Sequence, residues 1–266
     1  GYYFCVSSFT FNLSEVTKMK SSRALQFVLV FGCLVTAIVP SCAQTQDVYE
    51  YNSEFTWGIN KNSAGGLIGG FTFKKARKRK ENILETFGLE IMNVKNPQEV
   101  RHSSGYTGNY FIFGKSNYLY SFRFQYGRDY ILFTKAPQQG VEIKAVFAAG
   151  PSLGIIAPYY IERTVDNSFF TSVREQYDPN NPNHAYNNIL GTGNLFEGLG
   201  ESSLTVGLNV KAALNFELGY LKSQVTGFEV GFLLDSYINE INLMPTGENK
   251  AVFPTVFFTL FYGNRK

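Results

Sequence analysis

The chain of 266 residues contains two histidines, His102 and His184. His102 opens the run His102-Ser103-Ser104, with Glu99 just upstream. Those residue types could supply the base, nucleophile and acid of a hydrolase. No other motif reinforces that chemistry: the sequence has no His-Glu-x-x-His, no nucleophile elbow and no phosphate-cradling glycine loop. Two histidines without neighbouring thiolates form a poor donor set for a structural metal. The expectation is a protein with no catalytic residues, no metal and no cofactor.

Three other groups of residues could do chemistry of a non-covalent kind. The densest charge run is Lys74-Lys75-Ala76-Arg77-Lys78-Arg79-Lys80. Single charges also recur inside otherwise apolar segments, at Glu54, Glu90, Arg123, Glu142, Lys144, Lys211, Glu217, Glu229 and Asp235. If these are buried they must pair, because an isolated buried charge is very costly. The polar stretch 161–202 holds Asp178-Pro179-Asn180-Asn181-Pro182-Asn183 and the rings of Tyr177, Tyr186 and Phe196. Asparagine and aromatic side chains on a long loop suit contact with a glycan or a protein. A net charge of +3 is too weak to point to nucleic acid.

The elements that position these groups are strands. From Ser203 to Leu218 one parity reads Leu204, Val206, Leu208, Val210, Ala212, Leu214, Phe216 and Leu218, and the other is polar or small. Strict period two over this length is a long strand and not a helix. The pattern recurs near residues 118–126, 141–149, 228–234 and 252–262, and more weakly at 51–60, 66–75 and 83–94. Strands in globular domains usually span about five or six residues, whereas a tilted membrane strand needs about 9–11. The polar parity carries Gly, Ser, Thr, Asn and isolated charges rather than a dense solvated Lys/Glu face. Tyr49, Tyr51, Tyr118, Tyr126, Tyr159, Tyr160, Tyr220, Tyr237 and Tyr262 fall near strand ends, as an aromatic girdle at a membrane interface would. The expectation is an antiparallel transmembrane β-barrel of roughly eight to ten strands with a closed polar lumen.

Composition agrees. The chain is 44% hydrophobic, 16% aromatic and only 17% charged, with a mean hydropathy close to zero. Alternation between a lipid-facing and an interior-facing parity produces that combination, and a bundle of transmembrane helices does not. Placing the first strand upward puts turns at 75–82, 127–140 and 219–222, of which 127–140 is longer than such a turn needs and is expected to extend its two strands in part. The outer connections are then 61–65, 95–117, 161–202 and 239–250, so that the longest loops lie together on one side. On this reading the basic run 74–80 is a periplasmic turn. Its cations would meet anionic lipid head groups or an acidic envelope partner, or simply remain solvated. The scattered charges would form an ion-pair network filling the lumen, although acidic residues outnumber basic ones there.

The amino-terminal part is expected to lie outside the fold. Met19, Lys20 and Arg23 precede an apolar run from Ala24 to Pro40 and then Ser41-Cys42-Ala43, the layout of a secretory signal. Residues 19–43 are therefore read as a leader, 1–18 as an upstream extension and 44–266 as the barrel. Cys5, Cys33 and Cys42 would all be lost with the leader, so no disulfide framework is expected. A lipid anchor on Cys42, carrying a soluble periplasmic binding barrel, is an alternative.

The strand pattern resembles the small OmpA/OmpX-like outer-membrane barrels across the whole of 44–266. Val94-Lys95-Asn96-Pro97-Gln98-Glu99 with Tyr110-Phe111-Ile112-Phe113-Gly114-Lys115 resembles uncharacterised outer-membrane proteins of Bacteroidota. So do Gly150-Pro151-Ser152-Leu153 with Pro158-Tyr159-Tyr160, and the ending 257–263 followed by Asn264-Arg265-Lys266. The PorT/PorG-like barrels of the type IX secretion system belong to the same broad class, and no functional residue of theirs maps onto this chain. His102-Ser103-Ser104 is also slightly similar to the His-x-Ser of outer-membrane lipid A deacylases. The resulting expectation is a non-enzymatic outer-membrane barrel in contact with outer-membrane lipid. It would act as a loop-mediated binder or as an accessory subunit of a secretion or assembly complex. The alternative is a lipid- or peptide-hydrolysing barrel using His102.

Overall fold

The computed structural model describes residues 52–65, 69–135, 140–165, 171–194, 197–218, 223–245 and 249–266. The expected leader, every cysteine, Tyr49, Tyr51, Phe196 and Tyr220 lie outside the described residues.

The chain begins with β1 (Ser53–Asn62), β2 (Gly70–Lys80) and β3 (Ile83–Val94), then a short hairpin of β4 (Arg101–Ser103) and β5 (Tyr110–Ile112). The long strands β6 (Asn117–Phe133) and β7 (Val141–Pro158) follow. Three short strands come next: β8 (Tyr160–Thr164), β9 (Ser172–Gln176) and β10 (Ile189–Thr192). The chain ends with β11 (Ser203–Leu218), β12 (Gln224–Ile241) and β13 (Lys250–Arg265).

Eight strands close into a barrel in the order β1-β13-β12-β11-β7-β6-β3-β2. All neighbours are antiparallel, and β1 zips to β13 from Glu54 opposite Arg265 to Asn62 opposite Phe257. The pairing of β11 with β7 runs unbroken from Ser203–Ile156 to Leu218–Val141. Closure removes the unpaired edges that an open sheet of such length would expose.

The alternation is inverted relative to a soluble barrel. Phe232 is 70% exposed and Leu208 65%, while Arg123 is 1% exposed. The outward parities of β1 and β2 add Phe55, Trp57, Ile59, Phe71 and Phe73 to this apolar wall. A contiguous apolar exterior of this size is not compatible with water. With its strands hydrogen-bonded edge to edge around a closed ring, the barrel is of the membrane-spanning kind.

Two expected connections are shorter than the sequence pattern indicated. Residues 74–80 are not a turn: they belong to β2, and the connection to β3 is only Glu81-Asn82. Similarly, β6 continues to Phe133 and β7 resumes at Val141, so 127–133 is strand. On the opposite side the long connections carry structure of their own. The stretch 95–117 contains the β4–β5 hairpin, and 161–202 contains most of a three-stranded sheet ordered β10-β8-β9.

Candidate binding surface and the charged lumen

The inward parity brings the expected lumen charges together, with partners the sequence pattern had not placed there. Arg123 on β6 forks onto Asp235 on β12, its Nε donating at 2.9 Å, and its Nη1 lies 3.4 Å from Glu90. Glu90 in turn pairs with Lys211 at 2.6 Å, and Lys211 with Glu229 at 2.7 Å. Lys74 continues the chain, 3.5 Å from Glu229 and 2.6 Å from Asp129. A second cluster lies at the opposite end of the lumen from the β4–β5 hairpin. There Lys144 meets Glu142 at 3.1 Å and Glu54 at 3.4 Å, and it also faces Glu217. Arg265 reaches Glu54 at 3.2 Å, Glu142 at 3.4 Å and Glu217, and Lys135 pairs with Glu217. Every strand of the wall contributes to one cluster or the other.

The expected acidic excess in the lumen is thereby largely removed. Lys74, Lys135 and Arg265 supply the missing cations; the first two fall in segments whose sequence reads as turns, and the last falls at the chain end. Asp129 was missed for the same reason. The signal was present, since Lys74 shares the parity of Thr72 and Ala76, and Asp129 that of Ser121, Arg123 and Gln125.

The lumen is also less uniformly polar than expected. Phe257 packs with Val146, Ala213 and Leu233 between the charges, and the Lys211 ammonium lies 4.7 Å from the Phe257 ring centre. Toward the hairpin end, Val94, Leu119, Tyr237 and Phe253 pack with Ala64 and Leu243 into an apolar plug. The cavity that remains among Glu54, Lys74, Glu90, Lys211 and Glu229 is about 30 Å³, room for about two water molecules. Tyr237, expected on the girdle, points inward instead, its hydroxyl 2.8 Å from that of Ser121.

The remaining basic residues of 74–80 point elsewhere. Lys75, Arg77 and Arg79 are exposed on the outward parity of β2, and Lys78 and Lys80 lie at its end. Arg79 pairs with Glu85 at 2.6 Å.

Above the plug, β4–β5 and the β10-β8-β9 sheet form an outer lobe. Its floor is a cluster of Phe111, Ile112, Tyr159, Ile161, Tyr177 and Ile189. The Ile112 N–H donates to the Tyr159 hydroxyl at 3.0 Å, and burial pushes that phenol up to about 12. Tyr177 is 6% exposed, so it is part of this floor and not a free contact residue. Tyr159 is likewise interior rather than girdle. Tyr186 remains 43% exposed and packs against His102 and Phe111, each 5.4 Å between ring centres. Phe113 lies 5.6 Å from Tyr186, and Tyr110, next to Phe111 on β5, is 64% exposed.

The hydrolase set does not assemble. Glu99 accepts from the Asn96 N–H at 3.0 Å and pairs with the fully buried Lys115 at 2.7 Å. Burial depresses the Lys115 ammonium below the usual lysine range, with Glu99 opposing that shift. The Ser103 hydroxyl lies 3.4 Å from the Gly108 carbonyl, and His102 packs between the rings of Phe111 and Tyr186. His184 serves the lobe's own structure. Its Nδ1 accepts from the Asp178 N–H at 2.9 Å, and its Nε2 faces Glu175, which Arg163 also holds. Among the described residues no cluster of His, Cys, Asp and Glu could hold a metal ion.

No family model matches the sequence, and no curated protein matches it. Among solved structures, it is similar to Ail, the attachment invasion locus protein of Yersinia pestis. That likeness has 11% identity and a TM-score of 0.38, over 82% of this chain and 99% of that one. Neisserial surface protein A is similar at 11% identity and a TM-score of 0.34, over 81% of this chain and 97% of that one. The outer membrane protein W of E. coli has 11% identity and a TM-score of 0.30, over 82% and 100% respectively. The barrel itself rests on the strand register above and not on these likenesses.

Proposed function

We propose that the protein is an outer-membrane β-barrel that works by binding, through its outer lobe, and not by catalysis. The observation that carries this reading is the set of exposed aromatic residues Tyr110, Phe113 and Tyr186, the last two packed together, on a lobe with its own packed floor. Rigid aromatic side chains offer large contact area at low conformational cost, which is why they dominate binding surfaces. The plugged lumen supports a role that needs no passage through the barrel. The apolar wall and the long connections gathered at one end support placement in the outer membrane with the lobe facing outward. Membership of a secretion or assembly complex is the form this reading takes if the partner is another envelope protein.

Photo-crosslinking in cells tests it. A photoreactive residue replacing Tyr110 or Tyr186 should yield a discrete protein or glycan adduct, and one replacing Leu234 on the lipid-facing wall should not. Absence of an adduct at both lobe positions, in a barrel with normal heat-modifiable migration, overturns the proposal. An altered lipid A profile in a folded His102→Ala variant would overturn it in favour of hydrolysis.

A further inference from the structure

The basic run left a remainder after Lys74 turned into the lumen, and strand register collects that remainder on one wall. Arg77 on β2 stands opposite Glu85 on β3, and Glu85 stands opposite Arg128 on β6. One step toward the membrane centre, Lys75 lies opposite Phe87, and Phe87 opposite Tyr126. The side chains of Lys75, Arg77, Arg79 and Arg128 are all outward and exposed. Glu85 is the single acid among them, and it is already held by Arg79 at 2.6 Å and the Tyr126 hydroxyl at 2.8 Å. Neither Lys75, Arg77 nor Arg128 makes a salt bridge among the described residues. The corresponding ends of β7 and β11 carry no such charge: β7 presents Val141, Ile143 and Ala145, and β11 presents Leu218.

We infer that this wall, β2–β3–β6 at the end away from the outer lobe, is a docking site for the head-group phosphate of an anionic phospholipid. The inference depends on the membrane-spanning barrel and not on the lobe's partner. Immediately above the cations the same strands present Phe73, Phe87 and Phe124, a surface for the acyl chains of the same molecule. Long Lys and Arg stems can lie along such a wall while their charged ends reach the head-group layer. Charge and apolar surface are thus stacked on β2–β3–β6 in the order an amphiphile requires.

The chain's single tryptophan, Trp57, provides the probe. It lies on the lipid-facing side of β1, directly opposite Phe73 of β2. The full chain is refolded into phosphatidylcholine vesicles containing equal fractions of either brominated phosphatidylglycerol or brominated phosphatidylcholine. The anionic lipid should quench Trp57 fluorescence more strongly, and relative affinity should fall about fivefold for each cation removed. The variant Lys75→Gln/Arg77→Gln/Arg128→Gln should lose the excess while keeping normal heat-modifiable migration. The exposed single variant Arg77→Gln serves if the triple variant does not fold. Equal quenching by both lipids in the unmodified chain, or an undiminished excess in a folded variant, overturns the site. Loss of the excess on adding inorganic phosphate at constant ionic strength would assign the cations to free phosphate and also overturn the lipid proposal.

Discussion

Arg123 and Asp235 meet across the lumen from strands separated on the wall by β7 and β11, with Arg123 Nε donating at 2.9 Å. The pair therefore braces opposite sides of the barrel rather than neighbouring strands. Removing one partner leaves a charge where water has little room. Arg123→Met alone should cost about 3–5 kcal/mol, and Arg123→Met with Asp235→Leu appreciably less. Urea titration of the barrel in vesicles measures both, and a single-variant cost below about 1 kcal/mol would show the brace to be unimportant.

The exterior offers the opposite test. Val210 is outward, midway along β11. Val210→Arg should destabilise by about 2–4 kcal/mol if that face meets hydrocarbon near the bilayer midplane. The same variant would be close to neutral on a face solvated by water, so refolding equilibria in vesicles separate the two cases.

Within the outer lobe, Tyr177 and Tyr186 should behave differently despite their proximity in sequence. Tyr177→Ala empties part of a packed floor and should cost about 3–5 kcal/mol of lobe stability, the range for truncating a large buried ring. Tyr186→Ala should leave the lobe protected. Hydrogen exchange over residues 160–164 and 172–176 reports the contrast, with the barrel strands as internal reference.

The lobe should also loosen in acid. The Arg163 hydrogen bond, together with His184, holds the Glu175 carboxyl below its usual 4.5 in spite of opposing burial. A carboxyl depressed in the folded state adds stability above its unfolded value and loses it as pH falls through the lowered one. Exchange protection of β8 and β9 attributable to Glu175 should therefore hold from neutral pH to about 4.5 and decline below that. Glu175→Gln should remove that dependence, and an unchanged profile in the variant would rule out Glu175 as its source.

How much of this was legible in the residues follows from how far period two outruns other signals. On β11, eight outward apolar residues leave one solution for the strand and its faces. On β2, six cations interrupted by one alanine imitate a solvated turn, and only parity shows that Lys74 and Arg77 face opposite ways. The inward phenylalanines of β13 were obscured because both of its parities are apolar. The lobe strands β8, β9 and β10 are too short to establish a period. Tyr177 could not be separated from Tyr186 by composition, since its burial comes from Tyr159 and Ile189, each distant in sequence.

Arg265 lies on the last strand yet touches Glu54 on the first, Glu142 on β7 and Glu217 on β11. Until β13 is zipped against β1, that mouth holds its acids with fewer cations to oppose them. The finished cylinder differs from a sheet still open at the seam in the electrostatic repulsion at one rim as well as in hydrogen bonds. A chain paired one strand short, or slipped in register at the seam, would keep that repulsion. Arg265 thus acts as a key that fits only the correctly joined ring.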